Sequence, residues 1–190
     1  MRHRFFCRGG RKMAKDTEIV KHLIEAYERD LCGNMYTFML SNGETLSISI
    51  EKKDVPHLMG IRKLPLRQVQ NKSAAAVYEM LKDGRINIRH IAPHKEEYKK
   101  VMNFHHLVGI LHCGDAVKIV KRIGRLKSSY IMYLDHRPDK IIHLGIVQSQ
   151  DDGTWHPESL LITKSRNVGA YVDNQLPVDI LQMTVSTCPR

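Results

Sequence analysis

The chain has 190 residues, 42% of them hydrophobic, and carries 30 lysines and arginines against 20 acids, a formal net charge of +10. That length supports one buried core, and no stretch approaches the roughly 18 consecutive apolar residues of a membrane span or the apolar segment of a secretory signal. A cytoplasmic protein with no membrane association is expected, and the positive surplus favours polyanionic partners through counterion release and steering.

Residues 1–12 hold Arg2, Arg4, Arg8, Arg11 and Lys12 and no acid, so removing them lowers the formal charge from +10 to +5. They read as a basic extension to a single domain of residues 13–190. Gly9-Gly10-Arg11-Lys12 before Met13 can be spelled by purine-rich codons resembling a ribosome-binding site, which points to Met13 as the natural start; the competing reading is a basic arm that touches nucleic acid. Asp16-Thr17 offers a cap, and Ile19, Val20, Leu23, Ile24, Tyr27 and Leu31 recur at helical spacing, predicting a helix that Gly33-Asn34 stops. Alternation of apolar and polar residues over 35–41 and 44–50, on either side of Asn42-Gly43, predicts a β-hairpin.

Pro56 suits the first turn of a helix, so a short helix capped by Asp54 and ended by Gly60 is expected to carry His57. A basic linker with Arg62, Lys63, Arg67 and Lys72 follows, then a helix over 73–82 with Ser73 as its cap. A third helix is predicted over 95–112, buried through Tyr98, Val101, Met102, His105, Leu107, Val108 and Leu111. The segment 115–123 stands between strand and helix, with Val117, Ile119 and Val120 favouring strand. Strands are predicted over 128–134, 141–147, 160–163 and 180–185, with turns at His136-Arg137-Pro138-Asp139 and Asp151-Asp152-Gly153. The sum is an α+β fold in which N-terminal helices and a hairpin pack with a C-terminal four-stranded antiparallel sheet.

Several chemistries are excluded by missing spacings, among them phosphate-cradling glycine loops, a nucleophile elbow and a zinc-protease helix. His90 and His94 are separated by Pro93, which breaks the helix that would present both to a metal. Cys7, Cys32, Cys113 and Cys188 show no paired spacing, so reduced thiols are expected, and neither a metal nor a cofactor is called for. His57, displayed at a turn, has the right unperturbed pKa to exchange a proton when a ribose 2′-hydroxyl attacks its own phosphate; a packing or capping histidine is the plain alternative. Arg125, Lys127, Ser128 and Tyr130 cluster at a strand start, where a fixed cation can hold a phosphate and hydroxyls can orient it. His156 and Ser159 flank Pro157 at the entry to the next strand, and Trp155 offers an aromatic face on which a base can stack.

Three stretches, Phe38-Met39-Leu40-Ser41-Asn42-Gly43-Glu44-Thr45, Lys53-Asp54-Val55-Pro56-His57-Leu58-Met59-Gly60-Ile61 and Leu144-Gly145-Ile146 followed by Trp155-His156-Pro157-Glu158-Ser159, resemble the phage-encoded nucleases grouped with Barnase, EndoU, colicin nucleases and RelE. The resemblance covers roughly residues 18–185. It implies a metal-independent endoribonuclease of toxin or phage–host conflict type, cleaving by transphosphorylation on the open face of a four-stranded antiparallel sheet. Carried over by position, His57 is an acid/base, Lys127 the phosphate-facing cation, Ser159 the hydroxyl of a late strand and His156 a second acid/base. Arg62, Lys63, Arg125, Tyr130 and Trp155 are expected to contact substrate. RNA, as tRNA or ribosome-bound mRNA, is the implied partner, together with an antitoxin or immunity protein. The competing functions are a non-catalytic RNA- or ribosome-binding module and a phage inhibitor of a host protein.

Overall fold

The computed structural model describes residues 12–134, 140–150, 153–164 and 169–187; the basic extension up to residue 11 and the turns expected at 136–139 and 151–152 lie outside them. Helix α1 (Lys12–Asp30) is already under way at Lys12, so Asp16 and Thr17 lie within it rather than capping it. Lys12, Met13, Ala14 and Lys15 are strong helix formers and carry the helix past that cap. Val20, Ile24 and Tyr27 form its buried stripe. The predicted hairpin is present as β1 (Asn34–Leu40) and β2 (Thr45–Ser49), turning at Gly43 with a φ of 82°, a conformation glycine adopts without strain.

A 3₁₀ turn (Lys52–Asp54) leads into α2 (Val55–Leu58), and a second one (Ile61–Lys63) follows it. Helix α3 (Ala74–Lys82) is capped by the Ser73 hydroxyl, which accepts the Ala76 N–H at 3.2 Å. After α4 (Ile88–Ile91), the single helix expected over 95–112 is broken into α5 (Lys95–Asn103), a 3₁₀ turn (Phe104–His106) and α6 (Leu107–Cys113). Asn103 sits at the break and donates its amide to the Lys99 carbonyl at 2.8 Å, the local side-chain competition that tightens a helix end. The break changes the facing of α5, leaving Tyr98 and Met102 exposed where the periodicity buried them.

The remaining strands are β3 (Asp115–Lys118), β4 (Tyr130–Leu134), β5 (Lys140–Gln148), β6 (Trp155–Lys164), β7 (Leu176–Val178) and β8 (Ile180–Thr187). The four-stranded antiparallel sheet expected of the C-terminal half is not what forms. All eight strands join one mixed sheet in the order β7-β3-β4-β5-β6-β2-β1-β8, in which β2 meets β6 in parallel at Ile48 and Trp155. Strands β7 and β8 stand at opposite edges yet are separated in sequence by Asp179 alone, so the sheet curls until its edges meet, as a nearly closed barrel. Ser41 pins that corner: its N–H donates to the Asp179 carbonyl at 2.9 Å and its hydroxyl accepts the Asp179 N–H at 3.0 Å.

Because cross-strand partners share a face, the pairing register separates two layers. Tyr130, Met132, Leu144, Ile146 and Leu160 point to one side, into a core shared with Tyr36, Phe38 and Ile48 of the hairpin and with α1, α2, α3 and α6. The hairpin tip is locked into this layer: Asn42 donates to the Tyr130 hydroxyl at 2.9 Å, the hydroxyl donates to Glu44, and Lys118 pairs with Glu44. Val117, Ile131, His143, Gly145 and Ser159 face the other way. That outer face is covered by the loop 119–129 and by residues 169–175, with Tyr171 edge-on to the fully buried His143 at 5.1 Å between ring centroids. Gln175 clasps the two covers, accepting from the Val120 and Lys121 N–H groups at 2.9 and 3.0 Å and donating to the Lys121 carbonyl at 2.9 Å.

Candidate active site

Strand β6 starts at Trp155, five residues ahead of the run of apolar residues that predicted a strand from Leu160. Opposite β5, Gly145 pairs with Ser159 and Ile146 pairs with Pro157, so Glu158 is the extra residue of a β-bulge. Proline has no N–H to lose from a ladder and is tolerated at such an irregularity, and a bulge re-aims the side chain it carries. The Glu158 carboxylate turns onto the loop above the sheet, where one oxygen accepts the Lys127 N–H at 3.1 Å and the other accepts the Ser128 hydroxyl. Lys127 is thereby fixed by its backbone while its side chain stays exposed.

Ser128 lies directly over Gly145. A Cβ there would collide with the Ser128 Oγ and would stand 3.4 Å from the Ser159 Oγ. The glycine of the Leu144-Gly145-Ile146 run is therefore the floor of the site, flanked by two serines. The Ser159 Oγ is buried and has no hydrogen-bond partner among the described residues, an uncompensated state that ordinarily costs free energy.

Among the described residues the other side of β6 has no strand partner beyond Trp155, and α2 lies beside it. The turn ahead of α2 is closed by Asp54, whose carboxylate accepts the Glu51 N–H at 2.8 Å; it caps that turn rather than the helix itself. Burial, only partly opposed by that N–H, pushes the Asp54 carboxyl up to about 6. His57, on the outer side of α2, is exposed and touches the backbone of the bulge residue Glu158. The surrounding protein still removes enough water that desolvation lowers its pKa below 6.5, with Lys63 and Lys100 adding to the effect and Glu158 opposing it. A neutral imidazole at neutral pH follows.

Of the other predicted residues, Lys63 is an electrostatic neighbour of His57, while Arg62 beside it and Arg125 on the loop are exposed. His156 is half-buried: Nε2 is 2.6 Å from the Thr154 hydroxyl and Nδ1 is buried with no hydrogen-bond partner among the described residues. The structure does not bring Tyr130 or Trp155 to the opening. Tyr130 is 0% exposed on the inner face with its hydroxyl held by the hairpin, and Trp155 is half-buried and packs edge-on to it at 5.6 Å between centroids. Beside Lys127 an open groove of about 760 Å³ runs past Arg122, Ser128, Ser129, Gln148 and Gln150. Sequence reasoning missed Glu158 and Lys100. A proline within a strand was the available signal of a bulge at Glu158, whereas Lys100 reads like any solvated helix lysine.

Among the described residues no three histidine, cysteine or acidic side chains are grouped to hold a metal ion, and no helix is long and apolar enough to cross a membrane. A family model described as phage-Barnase-EndoU-ColicinE5/D-RelE like nuclease 4 matches residues 19–184. The chain belongs to this nuclease family. Neither a curated protein nor a solved structure matches it. For a phage-Barnase-EndoU-ColicinE5/D-RelE like nuclease the implied substrate is nucleic acid, and the stretch that matches contains both α2 and the bulged strand β6.

Proposed function

We propose that the chain is an endoribonuclease that cleaves RNA without a metal ion, by attack of a ribose 2′-hydroxyl on the adjacent phosphate. The observation that carries this reading is the convergence of His57, Lys127 and Ser159 on one residue, Glu158. His57 touches its backbone, Lys127 is held by its carboxylate, and Ser159 follows it in the strand.

In this scheme neutral His57 takes the proton of the 2′-hydroxyl. The 2′-oxygen bonds to phosphorus as the bond to the 5′-oxygen breaks, and that oxygen leaves with a proton from water at the open mouth of the site. The products are a 2′,3′-cyclic phosphate and a 5′-hydroxyl. Lys127 faces the phosphate and stabilises charge developing on its oxygens; Ser159, whose Oγ is buried, orients it only if the Ser128 loop shifts. Glu158 is a positioning residue that acts through Lys127 and Ser128. His156 joins the reaction only if its ring is freed from Thr154. A toxin or phage–host conflict setting in the cytoplasm, with a neutralising protein partner, completes the proposal by family resemblance.

The test is incubation of mixed RNA with the full chain in EDTA, beside His57→Ala and Lys127→Ala. Cyclic-phosphate ends that form with the parent protein and fall by 10²-fold or more in His57→Ala, the scale of general acid–base catalysis, are the expected result. RNA that is bound in low salt and left intact would replace this reading with a non-catalytic binding module.

A further inference from the structure

The His57 side of the site contains cations that the cleavage scheme does not use. Lys100 projects from α5 and is half-buried; Lys63, on the 3₁₀ turn after α2, is exposed. Both meet at Gly60, whose carbonyl accepts the Lys63 N–H at 3.0 Å and beside which the Lys100 stem lies, and both act on the charge of His57. Among the described residues neither ammonium is in an ion pair, in contrast to the neighbouring Lys99, which meets Glu96 at 2.7 Å, and Lys53, which meets Glu51 at 3.0 Å.

Lys100 reaches this position across a glycine. Gly60 has a φ of 75°, and a Cβ placed on it would stand 3.1 Å from the Glu97 Cγ and 3.4 Å from the Lys100 Cδ. The Gly60 of the Pro56-His57-Leu58-Met59-Gly60-Ile61 run thus does two things. It ends α2 in the left-handed region, and it leaves the space in which a lysine stem from α5 lies down beside His57.

We propose that Lys63 and Lys100, brought together beside His57 across Gly60, form a subsite for a backbone phosphate of single-stranded RNA next to the one that is cut. The identity of the ligand as RNA rests on the ribonuclease reading above; the presence of an anion site rests on the lysines. Holding one ammonium half-buried near another, with neither in an ion pair among the described residues, costs free energy that an anion recovers. Lys100 responds as such a group should: desolvation, followed by Lys63, lowers its pKa, with Glu97 and Glu96 opposing from its own helix. Lys127, whose backbone N–H is held by the Glu158 carboxylate, is a further exposed cation of the same site.

The experiment is binding of the full chain to a fully 2′-O-methylated oligoribonucleotide, which offers no 2′-hydroxyl for attack, over a salt series. Lys63→Gln and Lys100→Met are each expected to weaken binding several-fold at low salt. Each should also reduce the slope of log K against log salt by about 0.7, the contribution of one single-strand phosphate contact. Lys100→Met should raise Tm as well, because an unpaired half-buried charge is removed, and on cleavable RNA it should act mainly through KM. Unchanged slopes in both variants would overturn the subsite, as would a Lys100→Met protein that melts lower and binds like the parent. If Lys100→Met does not fold, the exposed Lys63→Gln decides alone. A chain that binds this probe through the two lysines but cuts no RNA keeps the subsite and loses the ribonuclease reading. One that cuts RNA with unaltered slopes does the reverse.

Discussion

In the proposed scheme the chemistry turns on His57, and the surroundings of that residue set a pH dependence with a definite sign. Lys63 and Lys100 face it from the 3₁₀ turn and from α5, Glu158 faces it from β6, and partial desolvation with the two lysines outweighs the acid. The proposed scheme makes the neutral ring the active base, so the rate should rise with pH through an inflection below 6.5 and then level off. Replacing Lys100 by methionine removes one of the charges that lower the pKa, so the acidic limb should move to higher pH. A pH–rate profile of kcat/KM for the two proteins checks both statements, and a limb that stays in place would show that Lys100 does not act on His57. The exposed position of His57 on a short helix was legible in the sequence because Pro56 and Gly60 marked a turn around it. Its neighbours were not, since Lys100 lies forty-three residues downstream and only the docking of α5 brings it near.

At the scale of elements, the site is a bulge with a loop folded onto it. Glu158 receives the Lys127 N–H and the Ser128 hydroxyl, and Gly145 provides the space beneath. Gly145→Ala should push Ser128 off the strand. The expected cost is about 1–3 kcal/mol, typical of forcing extra volume into a packed position, together with a fall in kcat larger than the lost stability explains. Urea denaturation read beside single-turnover cleavage separates the two, and full activity in a folded Gly145→Ala protein would show that the loop need not sit on β5. The hairpin, the Ser73 cap and most strands could be read from periodicity and turn residues, which are local signals. The bulge could not, because one extra residue between Gly145–Ser159 and Ile146–Pro157 depends on which strand lies opposite. The helix expected over 95–112 failed for a local reason instead: Asn103 takes a backbone carbonyl and breaks the period.

For the whole molecule, closure of the eight-stranded sheet keeps the hairpin against the strands that carry the site. The link is Tyr130, which the sequence placed at the substrate and the structure places in the core, bonded to Asn42 and Glu44 beneath Lys118. Tyr130→Phe should lower stability by about 0.5–1.5 kcal/mol through the hydrogen bonds it loses to the exposed Asn42 and the half-buried Glu44, with kcat preserved; a selective loss of kcat would return Tyr130 to the site. The α+β character followed from the order of helical and alternating segments. The single mixed sheet did not, because β2 meets β6 at Ile48 and Trp155, more than a hundred residues apart, and β7 is too short for a period. The claim that unites these scales is that this site cuts RNA through the ribose 2′-hydroxyl. It is tested most directly with DNA oligonucleotides that each carry one ribonucleotide, of all four bases in turn, incubated with the full chain in EDTA. Scission at the ribonucleotide alone, leaving a 2′,3′-cyclic phosphate, is the predicted result; scission at deoxynucleotide positions, or cleavage that appears only when a divalent metal is restored, would contradict it.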